Sequence, residues 1–310
     1  MTATVLDAHG VSPENKYQII KYLLSPELHS RTDAAKSVSL SAVTVGKVAS
    51  AMQQRGILCS EQREGGRGRS TELVFASRDL SAICIELGQG FFRCTRQKID
   101  KTSAILCESR VNDSISYEDA LLRFLDTAST ELGAIPQKDI MGISLLYDKE
   151  YLGARGTDVK AIDGLSPDAV LSSSDAIGLY FANRYPDKVC LRVLVSDKIH
   201  TSLYANGINL SERAMGYVAE GSDELGIVGE LCKHLKTLFE TVVPNSVIVE
   251  SDRITADKKL NRHIFSTVKN ITNLSEEHMP IFEEAEDLSF CETAALELIV
   301  DIYSRQLAGL

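Results

Sequence analysis

No apolar run in the 310 residues approaches the ~20 needed to cross a bilayer as a helix, so no membrane partner is expected. The seven cysteines (Cys59, Cys84, Cys94, Cys107, Cys190, Cys232 and Cys291) are odd in number and scattered, and no two form C-x-x-C. That pattern excludes a disulfide framework, and most of them sit inside apolar runs, as reduced core thiols of a cytoplasmic protein do. The N-terminus has neither a basic n-region nor an apolar h-region, so a secretion signal is not expected and a cytoplasmic location is. Positive charge is also short: the net charge is −10, which excludes a chain that is basic throughout.

What is present is ordinary in bulk and uneven in detail. A hydrophobic content of 44% and a charged content of 25% suit a globular chain, and 310 residues allow two or three domains with a sizeable core. Residues 11–75 carry nine Lys/Arg against six Asp/Glu, whereas the remainder carries 24 against 37. A basic head on an acidic body suits a DNA-binding domain whose body is repelled from the duplex.

The head contains the clearest motif, SRTDAAKSVSLSAVTVGKVASAMQQRGILCSEQREGGRGR from Ser30 to Arg69. Ser30 with Asp33 three residues on is a capping-box start for a short helix, Arg31 to Lys36. Val38-Ser39-Leu40 is a tight connection, after which Ser41 caps a helix to about Arg55 with Val45, Val48, Ala49 and Met52 on one face. Gly56 supplies a left-handed C-terminal cap. Residues 57–61 and 71–75 alternate as a hairpin with Arg63, Arg67 and Arg69 in its Gly-rich tip. Helix, turn, helix, basic hairpin is the order of a winged helix-turn-helix.

Together, SRTDAAKSVSLSAVTVGKVASAMQQRGIL and GGRGRSTEL resemble the N-terminal domain of the ROK family (repressors, uncharacterised frames and sugar kinases), in its NagC/XylR-like repressor branch. That branch combines S-R-x-x-L-A-x-x-x-x-L-S-x-x-T-V with a helix ending in Gly and a G-G-R-P wing. Here Ala34 stands for the Leu, Gly46 for a usual Ser and Gly68 for the wing Pro.

The rest of the chain reads as two similar halves. Residues 1–11 read as a loose leader, and Ser12-Pro13-Glu14 opens a helix to about Leu24. Residues 81–88, 91–97 and 102–109 read as strands, 116–132 as a helix, 140–147 and 170–171 as strands and 175–184 as a helix. The order then recurs: strands at 189–196 and 199–206 and after Asn206-Gly207, a helix to about Val242, a strand at 246–251, a helix at 257–269, a strand at 280–286 and a last helix at 292–306. Such a repeat is the layout of the actin-like, ribonuclease H-like α/β double lobe, which the ROK body shares. The expected division is 12–76 for the head, 77–188 with 288–310 for the first lobe, and 189–287 for the second.

The resemblance also specifies what kinase chemistry would need. The first phosphate turn reads Glu86-Leu87-Gly88-Gln89-Gly90, with a longer acid and no Thr. The second aligns with Val195-Ser196-Asp197-Lys198 and retains no glycine for close approach to phosphate, and the adenosine-side Gly-Gly aligns with Glu250-Ser251. ATP binding is therefore not expected. Asp175 matches the family's catalytic base, but Ser174 replaces the sugar-binding Asn, so no catalytic residue is assigned. The family's Cys cluster for zinc is absent, and His200, His234, His263 and His278 stand apart, so neither metal nor cofactor is expected.

The expectation is thus a repressor of carbohydrate-related genes that binds a double-stranded DNA operator as a homodimer. Ser41, Ala42, Thr44 and Lys47 would face base edges, Ser30 and Arg31 would touch phosphate, and Arg67 and Arg69 would enter an adjacent minor groove, with Arg63 a further DNA contact in the wing. Glu86, Ser174 and Asp175 mark an effector cleft for a small carbohydrate. The alternatives are a divergent ROK sugar kinase with a DNA-binding head and a ligand-free dimerisation scaffold.

Overall fold

The computed structural model describes residues 4–65, 69–88, 90–111, 115–148, 166–195, 198–217, 224–239, 241–251, 266–267, 270, 280–283 and 288–310. The chain divides into two compact units, 1–173 with 287–310, and 174–286.

The first unit begins with α1 (Pro13–Leu23), capped by Ser12 and opened by Pro13, whose missing N–H costs nothing at that position. Strand β1 (His29–Ser30), helix α2 (Arg31–Ser37) and helix α3 (Ala42–Gln54) follow, then β2 (Leu58–Gly65) and β3 (Arg69–Ala76). The strands form a sheet in the order β1-β3-β2. Ile19, Ile20 and Leu23 of α1 meet Ala34 of α2, Val45, Val48, Ala49 and Met52 of α3, and Val74 of β3 in one buried cluster.

The same unit holds a five-stranded sheet, β4 (Ser81–Gly88), β5 (Phe91–Lys98), β6 (Ser103–Arg110), β7 (Ile140–Tyr147) and β8 (Ala169–Ser172), in the order β6-β5-β4-β7-β8. Strands β4, β5 and β6 pair antiparallel, while β7 and β8 are parallel to β4. Helix α4 (Tyr117–Gly133) covers one face with Tyr117, Leu121, Phe124 and Leu125.

In the second unit, α5 (Ser173–Arg184) enters at Ser174, followed by β9 (Val189–Val195), β10 (Lys198–Ala205), β11 (Ile208–Tyr217), α6 (Glu224–Phe239), β12 (Ser246–Ser251) and β13 (Ile281–Phe282). The strand order is β11-β10-β9-β12-β13, with the same mixture of directions as the first sheet. Val228, Leu231, Leu235 and Phe239 of α6 bury against Leu191, Val193, Ile199 and Val247. Two copies of this sheet make the actin-like ATPase fold. The helix expected at 257–269 falls mainly outside the described residues, as do residues 284–286 of the expected last strand.

The final helix, α7 (Phe290–Ala308), returns to the first unit. Its start is a full capping box, Ser289 with Glu292, and it ends at Gly309 in the left-handed region. Leu296, Ile299, Tyr303 and Leu307 of α7 join the cluster that holds α1 and α3, so the head shares a core with the first sheet. Apolar burial is thus continuous across residue 76, where the sequence places the end of the head. The compact units meet at 173/174, with α5 in the second, where Phe181 of α5 packs on Tyr204 of β10 at 5.4 Å between ring centroids.

The expected loose leader is corrected for residues 4–11. Leu6, Ala8 and Val11 are buried, the Leu6 amide donates to the Leu307 carbonyl at 2.7 Å, and Lys16 Nζ donates to the Leu6 carbonyl at 3.1 Å. Arg55, just past α3, donates to the Thr4 and Val5 carbonyls at 2.6 and 2.7 Å. The leader thus straps α7 to α3. Burying each such apolar side chain is worth about 1.5–3 kcal/mol, enough to order a short segment with no regular structure.

Candidate nucleic-acid interface

Helices α2 and α3 are set by two serine caps and one tight turn. Ser30 Oγ accepts from the Asp33 amide at 3.0 Å and donates to the Asp33 carboxylate at 2.6 Å. Ser41 Oγ accepts from the Thr44 amide at 3.1 Å and lies 2.8 Å from Thr44 Oγ1. Between them, Ser39 adopts φ +54°. Its amide donates to the Lys36 carbonyl and that of Leu40 to the Ala35 carbonyl, the two bonds of a Schellman cap.

Helix α3 turns Val45, Val48, Ala49 and Met52 inward, which leaves Ala42, Val43, Lys47 and Gln54 exposed on the opposite face with Gly46 and Ser50 half-exposed among them. One flank of this strip is tied down by Arg31, whose Nη2 donates to Gln53 Oε1 at 3.1 Å and lies 3.2 Å from Glu72 of β3. The other flank carries the strap, where Lys47 Nζ donates to the His9 carbonyl at 3.2 Å.

The expected contact residues therefore divide. Ala42 and Lys47 are on the exposed strip, while Thr44 is half-buried and engaged with the Ser41 cap. The Ser30 and Ser41 hydroxyls are committed to capping, and Arg31 to Gln53 and Glu72, with its Nε buried without a hydrogen-bond partner. Arg63 is exposed near the end of β2, and Arg69 begins β3. Arg67 lies outside the described residues. Val43, Ser50 and Gln54 lie on the same strip and are not among the expected contact residues. Continuing the 3.6-residue period outward from the core positions finds them, whereas a search for polar residue types passes over Val43.

Behind α2, burial lowers the pKa of His29 against smaller opposing effects of Glu27 and Asp33. Its ring packs 4.5 Å from that of Tyr22, and Nε2 is 2.5 Å from Ser25 Oγ. Burial thus favours the neutral form of the His29 ring.

The expected effector residues divide between the units. In the first, Glu86 lies 3.7 Å from Arg93 on β5, which is itself 3.9 Å from Glu108 on β6, a cross-strand ladder of alternating charge. In the second, Ser174 Oγ accepts from Asn209 Nδ2 at 2.9 Å and lies 3.2 Å from the Tyr204 hydroxyl. Asp175 is exposed in the first turn of α5, where the helix dipole favours an acid. Ser196 and Asp197 lie outside the described residues.

The architecture is that of an actin-like, two-lobed protein with an added helical head. No family model matches the chain, and no curated protein does. Among solved structures, it is similar to a ROK family transcriptional regulator described as a homologue of the E. coli MLC protein, with a TM-score of 0.56 and 11% identity over 96% of this chain and 98% of that one. It also matches a ROK hexokinase from Thermus thermophilus (TM-score 0.43, 12% identity, 70% of this chain and 97% of that one). A third match is a Bacteroides thetaiotaomicron protein of actin-like ATPase fold and unknown function (TM-score 0.41, 13% identity, 71% and 96%).

Proposed function

We propose that the chain is a transcriptional regulator of the ROK type, in the NagC/XylR-like repressor branch, which binds operator DNA as a cytoplasmic homodimer through a winged helix-turn-helix at residues 12–76. The observation that carries this reading is α3: a doubly capped helix with an exposed outer strip, set by a tight turn against α2 and followed at once by a hairpin with exposed Arg63. In this reading α3 enters the major groove, and Ala42, Thr44 and Lys47 lie nearest base edges. Ser30, Arg31 and Ser41 position the helix, with Arg31 bridging to the hairpin through Glu72. Arg63, Arg67 and Arg69 supply contacts to the phosphate backbone.

The body, in this proposal, does not transfer phosphate. Glu86 is engaged by Arg93, and the second phosphate turn has no glycine. Its role is to dimerise and to hold a small carbohydrate effector near Ser174 and Asp175.

The test is enrichment of genomic fragments on the purified protein, followed by affinity and salt titration on the enriched duplex. The expected result is one two-fold symmetric sequence class. Lys47→Ala should cost ~1–3 kcal/mol and relax one position per half-site, whereas Arg63→Ala should make the salt dependence shallower by about one unit. No enrichment over random DNA would refute the reading. A divergent kinase would instead gain about 2.7 kcal/mol of stability at a hundredfold excess of Mg-ATP over its dissociation constant, visible as a raised melting temperature, and would phosphorylate hexoses.

A further inference from the structure

Two residues on the outer strip of α3 run against the needs of the fold. Val43 is 71% exposed, the highest value among the exposed large apolar side chains of the described residues. It is also β-branched, so its restricted χ1 makes it a poorer helix former than Ala, Lys or Gln at an exposed helical position. Neither helix formation nor core packing accounts for it. Gly46, one turn further on, is the other. A Cβ there would meet only Arg31 Nη1, at 3.7 Å, an ordinary contact, so internal packing does not require a glycine in this helix. Residues chosen against local preference at a surface point to an external partner.

These two residues lie together. Positions 43 and 46 are neighbours on the helix surface, Ala42 precedes them, and Lys47 follows Val43 at the i+4 spacing. The leading half of α3 is thus a shallow apolar step, one branched side chain beside a bare stretch of backbone, with a cation at its edge. A step of this kind cannot hydrogen-bond to a base edge. It suits the one apolar group that the major groove displays, the C5-methyl of thymine, with Gly46 letting the helix backbone come close.

Resting on the DNA-binding reading above, we propose that Val43 is a specificity-determining residue that packs against a thymine methyl, so that α3 reads part of its site by methyl contact while Lys47 meets the adjacent base edge or phosphate.

The experiment deletes the contact from each side. A preferred duplex is selected from a random library, and each of its thymines is replaced in turn by uracil, which keeps base pairing and removes only the methyl. Each duplex is titrated with wild type and with Val43→Ala, and the melting temperature of the variant checks its folding. The expected result is that uracil at one position per half-site weakens wild-type binding about fourfold, the worth of one buried methyl. Val43→Ala should weaken binding to the thymine duplex by a similar factor, and the two changes combined should cost no more than either alone. Because Ala favours the helix, the variant should melt no lower than wild type. A selected duplex that binds equally well with uracil at every position, or costs that simply multiply, would overturn the methyl contact and leave the DNA-binding reading standing. Failure to select any duplex would overturn both.

Discussion

The two units repeat one sheet, strand for strand, but they are closed by different devices. The second relies on close backbone approach: a Cβ on Gly178 of α5 would lie 2.2 Å from the Gly207 carbonyl oxygen in the β10–β11 turn. Nearby, Glu283 accepts hydrogen bonds from Tyr180 and Ser246, at 3.2 and 2.9 Å, and from Tyr185. The first unit is closed by a helix. One side of α7 packs on β4 and β7 and the other on α1, and Asp301 accepts from Tyr17, from Lys21 at 2.5 Å and from Arg305 at 2.8 Å. The difference shows what it takes to add a head to a lobe. The head is held by sharing a core with α7, and Asp301 ties α1 to α7 through Tyr17 and Lys21.

The most damaging test of that contrast is Gly178→Ala. The clash is with backbone, which has no rotamer to escape into, so the second unit should lose about 3 kcal/mol or more. Limited proteolysis should then cut within 174–286 much faster while 1–76 keeps its protection. Equal loss of protection in both regions would show that the units are not closed independently.

A middle-sized effect is expected at Asp301, and it belongs to the first unit. Burial alone would raise its pKa, but hydrogen bonds from Lys21, Tyr17 and Arg305 outweigh that and hold it at about 2. An unfolded aspartate titrates near ~3.9, so the folded state favours the charged form. The resulting stability is fully present above about pH 4 and is lost as pH falls from there towards about 2. Because Lys21 is half-exposed, solvent screens the pair and the contribution is on the order of 1–2 kcal/mol. Asp301→Asn should therefore be less stable than wild type at pH 7 by that amount and indistinguishable from it near pH 2, as read from urea midpoints. A gap that persists unchanged at pH 2 would mean that the carboxylate charge is not what holds α1 to α7.

Much of this was legible in the chain. The serine caps and the 3.6-residue period fix α2 and α3 to within a residue, because both signals are local. The two sheets follow from alternation and order. The leader was not legible, since Leu6, Ala8 and Val11 carry no period of their own and are buried only by α7 and α3, distant in sequence. The packing of α5 was not legible either, because what it meets is Tyr204 and Gly207, beyond the next strand. At the candidate site, residue type and geometry point to different residues. Ser30 and Arg31 have the right chemistry for phosphate but are committed to a cap and to Glu72, whereas the apolar Val43 lies exposed on the outer strip of the helix.

The smallest effect is confined to the head, where two helix ends solve one problem with different residues. Helix α3 ends in a Schellman cap with Gly56 at φ +71°, its amide bonded to Gln53 and that of Ile57 to Met52. Helix α2 ends in the same two bonds with Ser39 at φ +54°. An L-residue in the left-handed region crowds its Cβ against the following carbonyl, at a cost of roughly 1–2 kcal/mol, part of which a glycine gives back through greater freedom in the unfolded chain. Ser39→Gly should therefore stabilise the protein by about 0.5–1 kcal/mol. Gly56→Ser should destabilise it by about 1 kcal/mol, from conformation alone, since a Cβ at Gly56 meets nothing within 4 Å. Neither change touches the outer strip of α3, so in the DNA-binding reading proposed above affinity for the selected duplex should stay as in wild type for both. If Ser39→Gly instead destabilises the protein, the serine side chain contributes more to the turn than its backbone angle costs. If it stabilises the fold but weakens DNA binding, the α2–α3 angle depends on the stiffness of residue 39, and the turn is itself part of the recognition machinery.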